Sequence, residues 1–284
     1  MHPQSPERRC LFADQARSAR PDLAQLCLLI GAEADPDLDD AGMRAARHIL
    51  DRLADQLAKR LAERPPDHAD GPLSWALALS ELLGTRYGFR GRPGDYQHLR
   101  SLLLHEVLRR RRGLPILLSV VWIEVARRAG VPVHGVALPG HFVVGFGARG
   151  EQVLANPFAG GPALPYPDAE LLVAGATGAP LVPSMLSPAG PLDIVLRVLN
   201  NIRAWAAARP ERSDVALWAV ELSLLLPEHS DRLHYERAQL LVQRGDFLAG
   251  AMEIDTYADV IAATDEVAAV RLRREAHGAR SMLN

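Results

Sequence analysis

One apolar stretch constrains the fold of this chain more than any other. The sequence "LPILLSVVWIEVARRAGVP" spans residues 114–132, and nearly every position before Glu124 is apolar. Pro115 suits the first turn of a helix, and Gly130 followed by Pro132 suits its end. A helix that is apolar on most of its faces is buried on most of its sides. The sequence therefore predicts a central helix with the rest of a core built around it.

Three short β-type runs follow this helix. The second and third are separated by Gly147–Gly150, which we interpret as a four-residue hairpin loop. In that register His141 lies opposite Asn156, with Cβ atoms roughly 4.5–5.5 Å apart. The three runs are "VHGVAL" (133–138), "HFVVGF" (141–146) and "QVLANPF" (152–158).

Helical periodicity dominates on both sides of the strands, which predicts an α+β fold. The N-terminal part is helical at 22–64, with "DPDLDD" as a start signal, whereas 159–190 is rich in Gly, Pro and Ala and predicts an irregular connection. We therefore divide the chain into a helical N-terminal region (1–90), a core of a buried helix on a small antiparallel sheet (91–190), and a C-terminal helical domain (191–284).

The C-terminal domain carries a partial repeat signature. The segment "ERAQLLVQRGDFLAGAMEIDTYADVI" has small and large residues at the positions of a tetratricopeptide unit. These residues are Ala238, Leu241, Gly245, Phe247 and Gly250. Stacked helical repeats of this kind dock protein or peptide partners, so we expect such a partner for these helices.

Charge and cysteine content narrow the class of protein. The formal net charge is -2, from 32 basic and 34 acidic residues, which gives no overall attraction to nucleic acid. Cys10 and Cys27 have no metal-ligand spacing and form no disulfide framework, as expected in a reducing cytosol. The N-terminus lacks a signal-peptide core, and the apolar run "PILLSVVWI" is too short to cross a bilayer. We expect a cytoplasmic protein with no bound metal, cofactor or membrane.

His141 and Asn156 are the candidate catalytic residues. An imidazole oriented by a carboxamide is the second half of a Cys-His-Asn arrangement. Such a site needs a nucleophile at the N-terminus of the buried helix, and there the chain has Pro115. Ser119 is the one hydroxyl in this apolar run, so it is a candidate nucleophile or ligand contact. The alternative for Ser119 is a small helix residue bonded to a preceding carbonyl.

Two further residues precede the central helix. His105 and Glu106 in "HEVL" are candidates to face the same cleft and bind a ligand. A metal site that combines them with His134 or His141 lacks any tight ligand spacing such as HExxH. The run Arg109–Arg112 is interpreted as a solvated helix end, with a phosphate or an acidic partner as the alternative.

Several signatures in order carry a family resemblance. The chain contains "GFRGRPGDY", then "SLLLHEVLRRRRGLPILLSVVWIEVARRAGVPVHGVALPGHFVVGF", then "NPFAGG". This series resembles the bacterial SirB-one family, whose members join a transglutaminase-like core to C-terminal tetratricopeptide repeats. The resemblance extends from about Pro21 to the C-terminal helices. It implies a papain-like α+β core in which the buried helix packs on the sheet that carries the histidine.

The resemblance also implies where a catalytic triad would lie. The transglutaminase cysteine falls on Pro115, the histidine on His141 and the aspartate on Asn156. Members similar to this chain share the proline, but they usually have "DPF" where this chain has "NPF". Ser101 stands where the family tends to have asparagine. The histidine alone is unchanged.

Three functional hypotheses remain open at this point. The first is a non-catalytic transglutaminase-like module whose cleft around His141 binds a peptide or small molecule, coupled to helical repeats that bind a protein. The second is a divergent amide or acyl-group enzyme with His141 as general base, oriented by Asn156, and with water or a substrate amine as nucleophile. In the third, His141 only anchors the hairpin.

Overall fold

The computed structural model describes residues 6–63, 71–148 and 152–282. The predicted α+β class is confirmed, since the described part of the chain contains many helices and a single five-stranded sheet. The chain divides into two compact units, Arg20–Val198 and Ser5–Ala19 together with Leu199–Asn284. The three-part division into 1–90, 91–190 and 191–284 stays a prediction.

The regular elements follow one another along the chain as named here. The helices are α1 (Pro6–Arg17), α2 (Leu23–Ala34), α3 (Asp40–Ala62), α4 (Pro72–Leu79), α5 (Leu104–Arg110), α6 (Pro115–Arg128), α7 (Tyr166–Thr177), α8 (Pro191–Ala207), α9 (Ser213–Leu224), α10 (Arg232–Gln243), α11 (Phe247–Ala262) and α12 (Glu266–Ser281). The strands are β1 (Val133–Val136), β2 (Val143–Phe146), β3 (Val153–Ala155), β4 (Ala163–Leu164) and β5 (Pro188–Ala189). A π-helical turn, Ser80–Arg86, continues α4.

Helix α6 is the central helix that its apolar sequence predicts. Every residue from Pro115 to Ala126 is buried, and Trp122 is fully enclosed. The helix packs against α2, α3 and α5 and against strands β1 and β2. Each large apolar side chain buried in this way contributes about 1.5–3 kcal/mol relative to an exposed one. This burial fixes the helix N-terminus relative to the sheet.

The sheet is antiparallel throughout, in the order β4-β3-β2-β1-β5. Phe146 pairs with Val153 and Val144 pairs with Ala155. The predicted register, in which His141 pairs with Asn156, is therefore wrong by two residues. Strand β2 begins at Val143, so His141 precedes the strand. The predicted loop Gly147–Gly150 lies partly outside the described residues.

The connection predicted as irregular at 159–190 contains regular structure, and that prediction is wrong. Helix α7 has a proline in its first turn and ends at Gly178, whose φ of 70° is left-handed. Its Ala169 and Val173 are fully buried in a cluster beneath β1 and β2. Proline and glycine lie at the ends of this helix, where they stop it without interrupting it.

The second unit is a stack of helices around a core of small residues. Helix α11 packs between α10 and α12. A Cβ added to Gly250 would lie 2.5 Å from Val242 Cγ2 and 2.8 Å from Ala238 O, so glycine permits α10 and α11 to approach closely. The stack has the helix pairs that a repeat needs, and the tetratricopeptide assignment stays a prediction.

No helix among residues 6–63, 71–148 and 152–282 is long and apolar enough to cross a membrane.

Candidate functional site

A short turn before β2 holds His141 in place. The backbone N–H of His141 donates to Leu138 O at 3.1 Å, and Gly140 has a left-handed φ of 70°. The guanidinium of Arg197 donates to Leu138 O at 2.8 Å and to His141 O at 2.9 Å. The same guanidinium lies 5.5 Å from the centre of the Phe142 ring. Arg197, which lies near the end of the first unit's sequence, therefore holds the turn in place.

Asn156 orients the imidazole of His141. His141 Nε2 lies 3.0 Å from Asn156 Oδ1, which also accepts the backbone N–H of Phe158 at 3.1 Å. Because only the oxygen of an asparagine amide can accept the Phe158 N–H, the same atom facing His141 is that oxygen, and Nε2 must carry the proton that it accepts. In the neutral ring the lone pair is therefore on Nδ1, the nitrogen available as a base.

The surroundings of His141 favour the neutral ring. Burial lowers the pKa of His141, the hydrogen bond to Asn156 raises it, and the positive charge of Arg197 lowers it, with a net decrease. A neutral imidazole can accept a proton or a hydrogen bond from a ligand. This half of the site thus keeps the oriented base that acyl-transfer chemistry requires.

His141 and Asn156 lie close together as predicted, but they are not a cross-strand pair. Asn156 lies just beyond β3 and its side chain caps the 3-10 turn Pro157–Ala159. The ring of Phe158, in the same turn, meets the His141 imidazole edge-on, with ring centroids 6.0 Å apart. The cap turns the Asn156 oxygen back towards His141.

The segment that carries Asn156 is clamped at two glycines. Gly91 N donates to Phe158 O at 2.9 Å, and a Cβ on Gly91 would lie 1.9 Å from the Phe158 ring. A Cβ on Gly84 would lie 1.8 Å from the carbonyl oxygen of Gly160. Side chains are excluded at both contacts, so Gly84 and Gly91 together set the position of the Asn156 turn.

Sequence reasoning missed three residues that surround His141. Arg197 binds the turn from α8, Phe158 contacts the imidazole, and Tyr96 packs edge-on against Phe158 at 6.0 Å. The Tyr96 side chain is 45 % exposed, so it lies at the open side of the site. Tyr96 and Phe158 stand in the quoted motifs, which were the available signal, whereas no local pattern marks Arg197.

The helix side of the site begins with a proline. Pro115 is buried in the first turn of α6, no side chain caps this helix end, and Leu114 N donates to Ser101 O at 3.0 Å. The helical pattern leaves the N–H groups of Ile116 and Leu117 without intrahelical acceptors. Proline supplies neither a thiol nor an N–H. Here the α6 terminus offers a positive dipole end and apolar packing.

Ser119 does not bond to a preceding helix carbonyl as expected. It is fully buried, and its Oγ donates to the carbonyl of Phe142 at 3.3 Å. This bond ties α6 to the residue after His141. Complete burial separates the hydroxyl from any ligand in the cleft, so Ser119 acts in the structure as a packing contact.

The other candidate residues have separate partners. His105 Nε2 lies 3.1 Å from Asp35 Oδ2, and Glu106 accepts two hydrogen bonds from Arg109. His134 Nε2 lies 2.6 Å from Gln152 Oε1. Within the described residues, no group of three His, Cys, Asp or Glu side chains is placed to hold a metal ion. None of these contacts joins His105 or Glu106 to His141.

Comparison with known proteins agrees with this architecture. The sequence profile of the transglutaminase-like superfamily matches residues 44–200, which include α6, the sheet and both His141 and Asn156. The chain thus has a transglutaminase-like core.

Relatives identify the family more narrowly. A UPF0162 protein of Xylella fastidiosa (strain Temecula1) is 30% identical over 257 residues, 88% of this chain and 87% of that protein. A UPF0162 protein of Pseudomonas aeruginosa is 32% identical over 212 residues, 72% of each chain. The chain belongs to the UPF0162 family. F-box only protein 21 of Mus musculus is also similar, with 33% identity over 104 residues, 34% of this chain and 17% of that protein.

Proposed function

We propose that this protein is a non-catalytic transglutaminase-like binding protein whose cleft around His141 holds a small molecule or peptide. The observation that carries the proposal is the contrast at the site: an oriented, neutral imidazole on the sheet side and Pro115 on the helix side. Retaining the base while lacking a nucleophile favours recognition of a ligand over covalent turnover.

The chemistry of the cleft limits the ligand. His141 Nδ1 is a hydrogen-bond acceptor, and the rings of Phe158 and the half-exposed Tyr96 supply flat apolar surface beside it. A ligand that donates a hydrogen bond next to an apolar group, such as an amide or an amine on a short chain, suits this combination.

The helices α10–α12 are the proposed contact for a protein partner. The support is the pairing of helices around Gly250 together with the repeat-like spacing in the sequence. Under this proposal, ligand binding in the core is coupled to the binding of a protein partner by the C-terminal helices.

A second candidate is a divergent acyl or amide enzyme. It is favoured by one observation, the His141–Asn156 pair with the proton on Nε2, which leaves Nδ1 to activate water or a substrate amine. Backbone N–H groups at the start of α6 would then face a developing oxyanion, with one donor removed by Pro115.

One experiment separates these candidates. The protein is purified from its native cells as wild type, His141→Ala and His134→Ala, and bound small molecules are detected by native mass spectrometry. His134 is the matched control because it is also a part-buried histidine with a side-chain amide partner. In parallel, each form is assayed for p-nitrophenyl acetate hydrolysis and for coupling of a fluorescent primary amine to a glutamine peptide.

The binding proposal expects a small molecule in wild type and His134→Ala that is absent from His141→Ala, with no turnover by any form. Turnover by wild type that disappears in His141→Ala alone would overturn it in favour of the enzyme. Identical ligand content in all three forms, with a lower melting temperature for His141→Ala alone, would leave the anchoring role.

A further inference from the structure

A second cavity in the first unit lies between α3, the end of α5 and the segment after the π-helical turn. Its volume is about 200 Å³. Its apolar surface is formed by Ile49, Leu53, Phe89 and Leu108, and its polar groups are Gln56 and Tyr87. None of the residues that surround His141 lines this cavity.

Three guanidinium groups and no carboxylate line the cavity. Arg52 comes from α3, Arg109 from α5, and Arg111 from the residue that caps α5. Arg109 donates two hydrogen bonds of 2.9 Å to the carboxylate of Glu106. Within the described part of the chain, Arg52 and Arg111 form no ion pair, so two positive charges at the cavity are uncompensated. This imbalance is local, because the whole chain carries a net charge of -2.

Contacts within the fold place the guanidinium of Arg111 before any ligand arrives. It donates to Tyr87 O at 3.2 Å and lies 5.3 Å from the centre of the Tyr87 ring. The Tyr87 hydroxyl in turn donates to Gln56 at 2.9 Å. A guanidinium held in this way loses less entropy when it binds an anion, and its planar fork matches carboxylate and phosphate oxygens.

The backbone of Arg111 adds a second observation. Arg111 has φ 58° and ψ 29°, and it is the one residue other than glycine with positive φ among those described. Glycine is the common residue at this position of a helix C-terminus, because a Cβ strains the left-handed backbone there. Arg111 therefore has a side chain at a position where the backbone conformation favours glycine.

The four arginines in "RRRR" divide by role: Arg109 and Arg111 are exposed, as predicted for a solvated helix end, whereas Arg110 and Arg112 are partly buried. Arg112 bonds the buried carboxylate of Asp95 at 2.9 Å, and Arg110 lies 3.9 Å from the same residue. Both belong to a structural ion pair. Arg109 and Arg111 instead line the cavity with Arg52.

We infer that this cavity is an anion-binding site for a carboxylate or phosphate carried on an apolar group, most simply an aromatic ring. Arg52 and Arg111 would bind the oxyanion, and the surface formed by Leu53, Phe89 and Leu108 would contact the ring. This inference goes beyond the proposed function, since it uses different residues and a ligand of opposite polarity.

The test is calorimetric titration of the full-length protein with phenyl phosphate at low ionic strength. The variants are Arg111→Gly, which suits the left-handed backbone and removes only the side chain, and Arg52→Gln. The matched control is Arg44→Gln, an exposed arginine on α3 that does not line the cavity. Thermal melts establish that each variant is folded.

We expect saturable binding of phenyl phosphate to wild type and Arg44→Gln, weakened about tenfold or more in Arg111→Gly and Arg52→Gln. Inorganic phosphate should bind more weakly than phenyl phosphate because it leaves the apolar surface uncovered. Tighter binding of benzoate than of phenyl phosphate would assign the site to a carboxylate. No saturable binding by wild type, equal binding by all variants, or equally tight binding of uncharged benzyl alcohol would each overturn the inference.

Discussion

The two sides of the site around His141 differ in what holds them. On the sheet side, hydrogen bonds among polar groups fix the site: Asn156 orients the imidazole, and Arg197 binds the preceding turn. On the helix side, apolar burial fixes the α6 terminus, and Pro115 offers no reactive group.

This difference shows that the packing of a transglutaminase-like core does not require a nucleophile at the start of its central helix. Apolar burial of α6 keeps the helix at the sheet whether or not its first residue is a nucleophile. The sheet side is held differently, because a buried imidazole and guanidinium are costly to desolvate and need their hydrogen-bond partners. An oriented imidazole beside an unreactive helix terminus is the observation on which the proposed binding role rests.

The largest expected effect comes from breaking the clamp that positions the Asn156 turn. Gly84→Ala places a Cβ 1.8 Å from the backbone oxygen of Gly160, so the chain must shift. We expect the free energy of unfolding, measured by urea denaturation, to fall by about 3 kcal/mol. The control Gly175→Ala, in α7 with open space around the added Cβ, should raise stability by up to about 1 kcal/mol. Equal effects of the two changes would refute the clamp.

Arg197→Met should have the next largest effect. It removes two hydrogen bonds from the turn carbonyls of Leu138 and His141, and we expect stability to fall by about 2 kcal/mol. It also removes a positive charge that lowers the pKa of His141, so this pKa should rise towards its ordinary value. An NMR titration of His141 together with urea denaturation measures both effects. A stability loss with an unchanged His141 pKa would show that Arg197 acts on the turn alone.

Asn156→Asp tests whether residue 156 faces His141, because it changes how the stability of the protein depends on pH. In wild type the pKa of His141 is lowered, so the unfolded chain binds the proton first and stability falls as pH drops below about 6.5. An aspartate facing Nε2 raises the folded pKa. The stability that the aspartate adds, about 1 kcal/mol, is then fully present below pH 6.5, and it is lost as the pH rises through the raised pKa of His141.

Urea midpoints at pH 5 and pH 8 check this reversal. The variant should exceed wild type at pH 5 and lie close to it at pH 8. A variant no more stable than wild type at pH 5 would mean that residue 156 does not face the imidazole.

Ser119→Ala should have the smallest effect. It removes one long hydrogen bond to Phe142 O in a buried place, so we expect a loss of about 0.5–1 kcal/mol by thermal denaturation. Ligand content by native mass spectrometry should be unchanged, since Ser119 is fully buried. Loss of the bound ligand without loss of stability would show that Ser119 contacts the ligand directly.

The sequence predicted the elements that local patterns control. Helix α6 follows from an apolar run bounded by Pro115 and Gly130, and α3 begins at the expected acidic cap, Asp39. The pairing of His141 with Asn156 was predicted from a register that is wrong, because the contact depends on the side-chain cap at Asn156.

Other features depend on contacts that no local pattern records. Arg197 lies 56 residues from His141 in sequence, so only the folded structure brings them together. The Gly and Pro residues around helix α7 predict a loop, whereas in the structure they lie at and near the ends of a helix. The cation-lined cavity at Arg111 needs three separate segments to form.

The central claim is that His141 is held as a neutral base with its proton on Nε2 and its lone pair on Nδ1. The most direct test is a ¹⁵N NMR spectrum of the imidazole nitrogens at pH 7, with His141 assigned by its absence from His141→Ala. The structure predicts a neutral ring protonated at Nε2, because Asn156 Oδ1 accepts from it. A ring protonated at Nδ1, or one charged at pH 7, would contradict this account of the site.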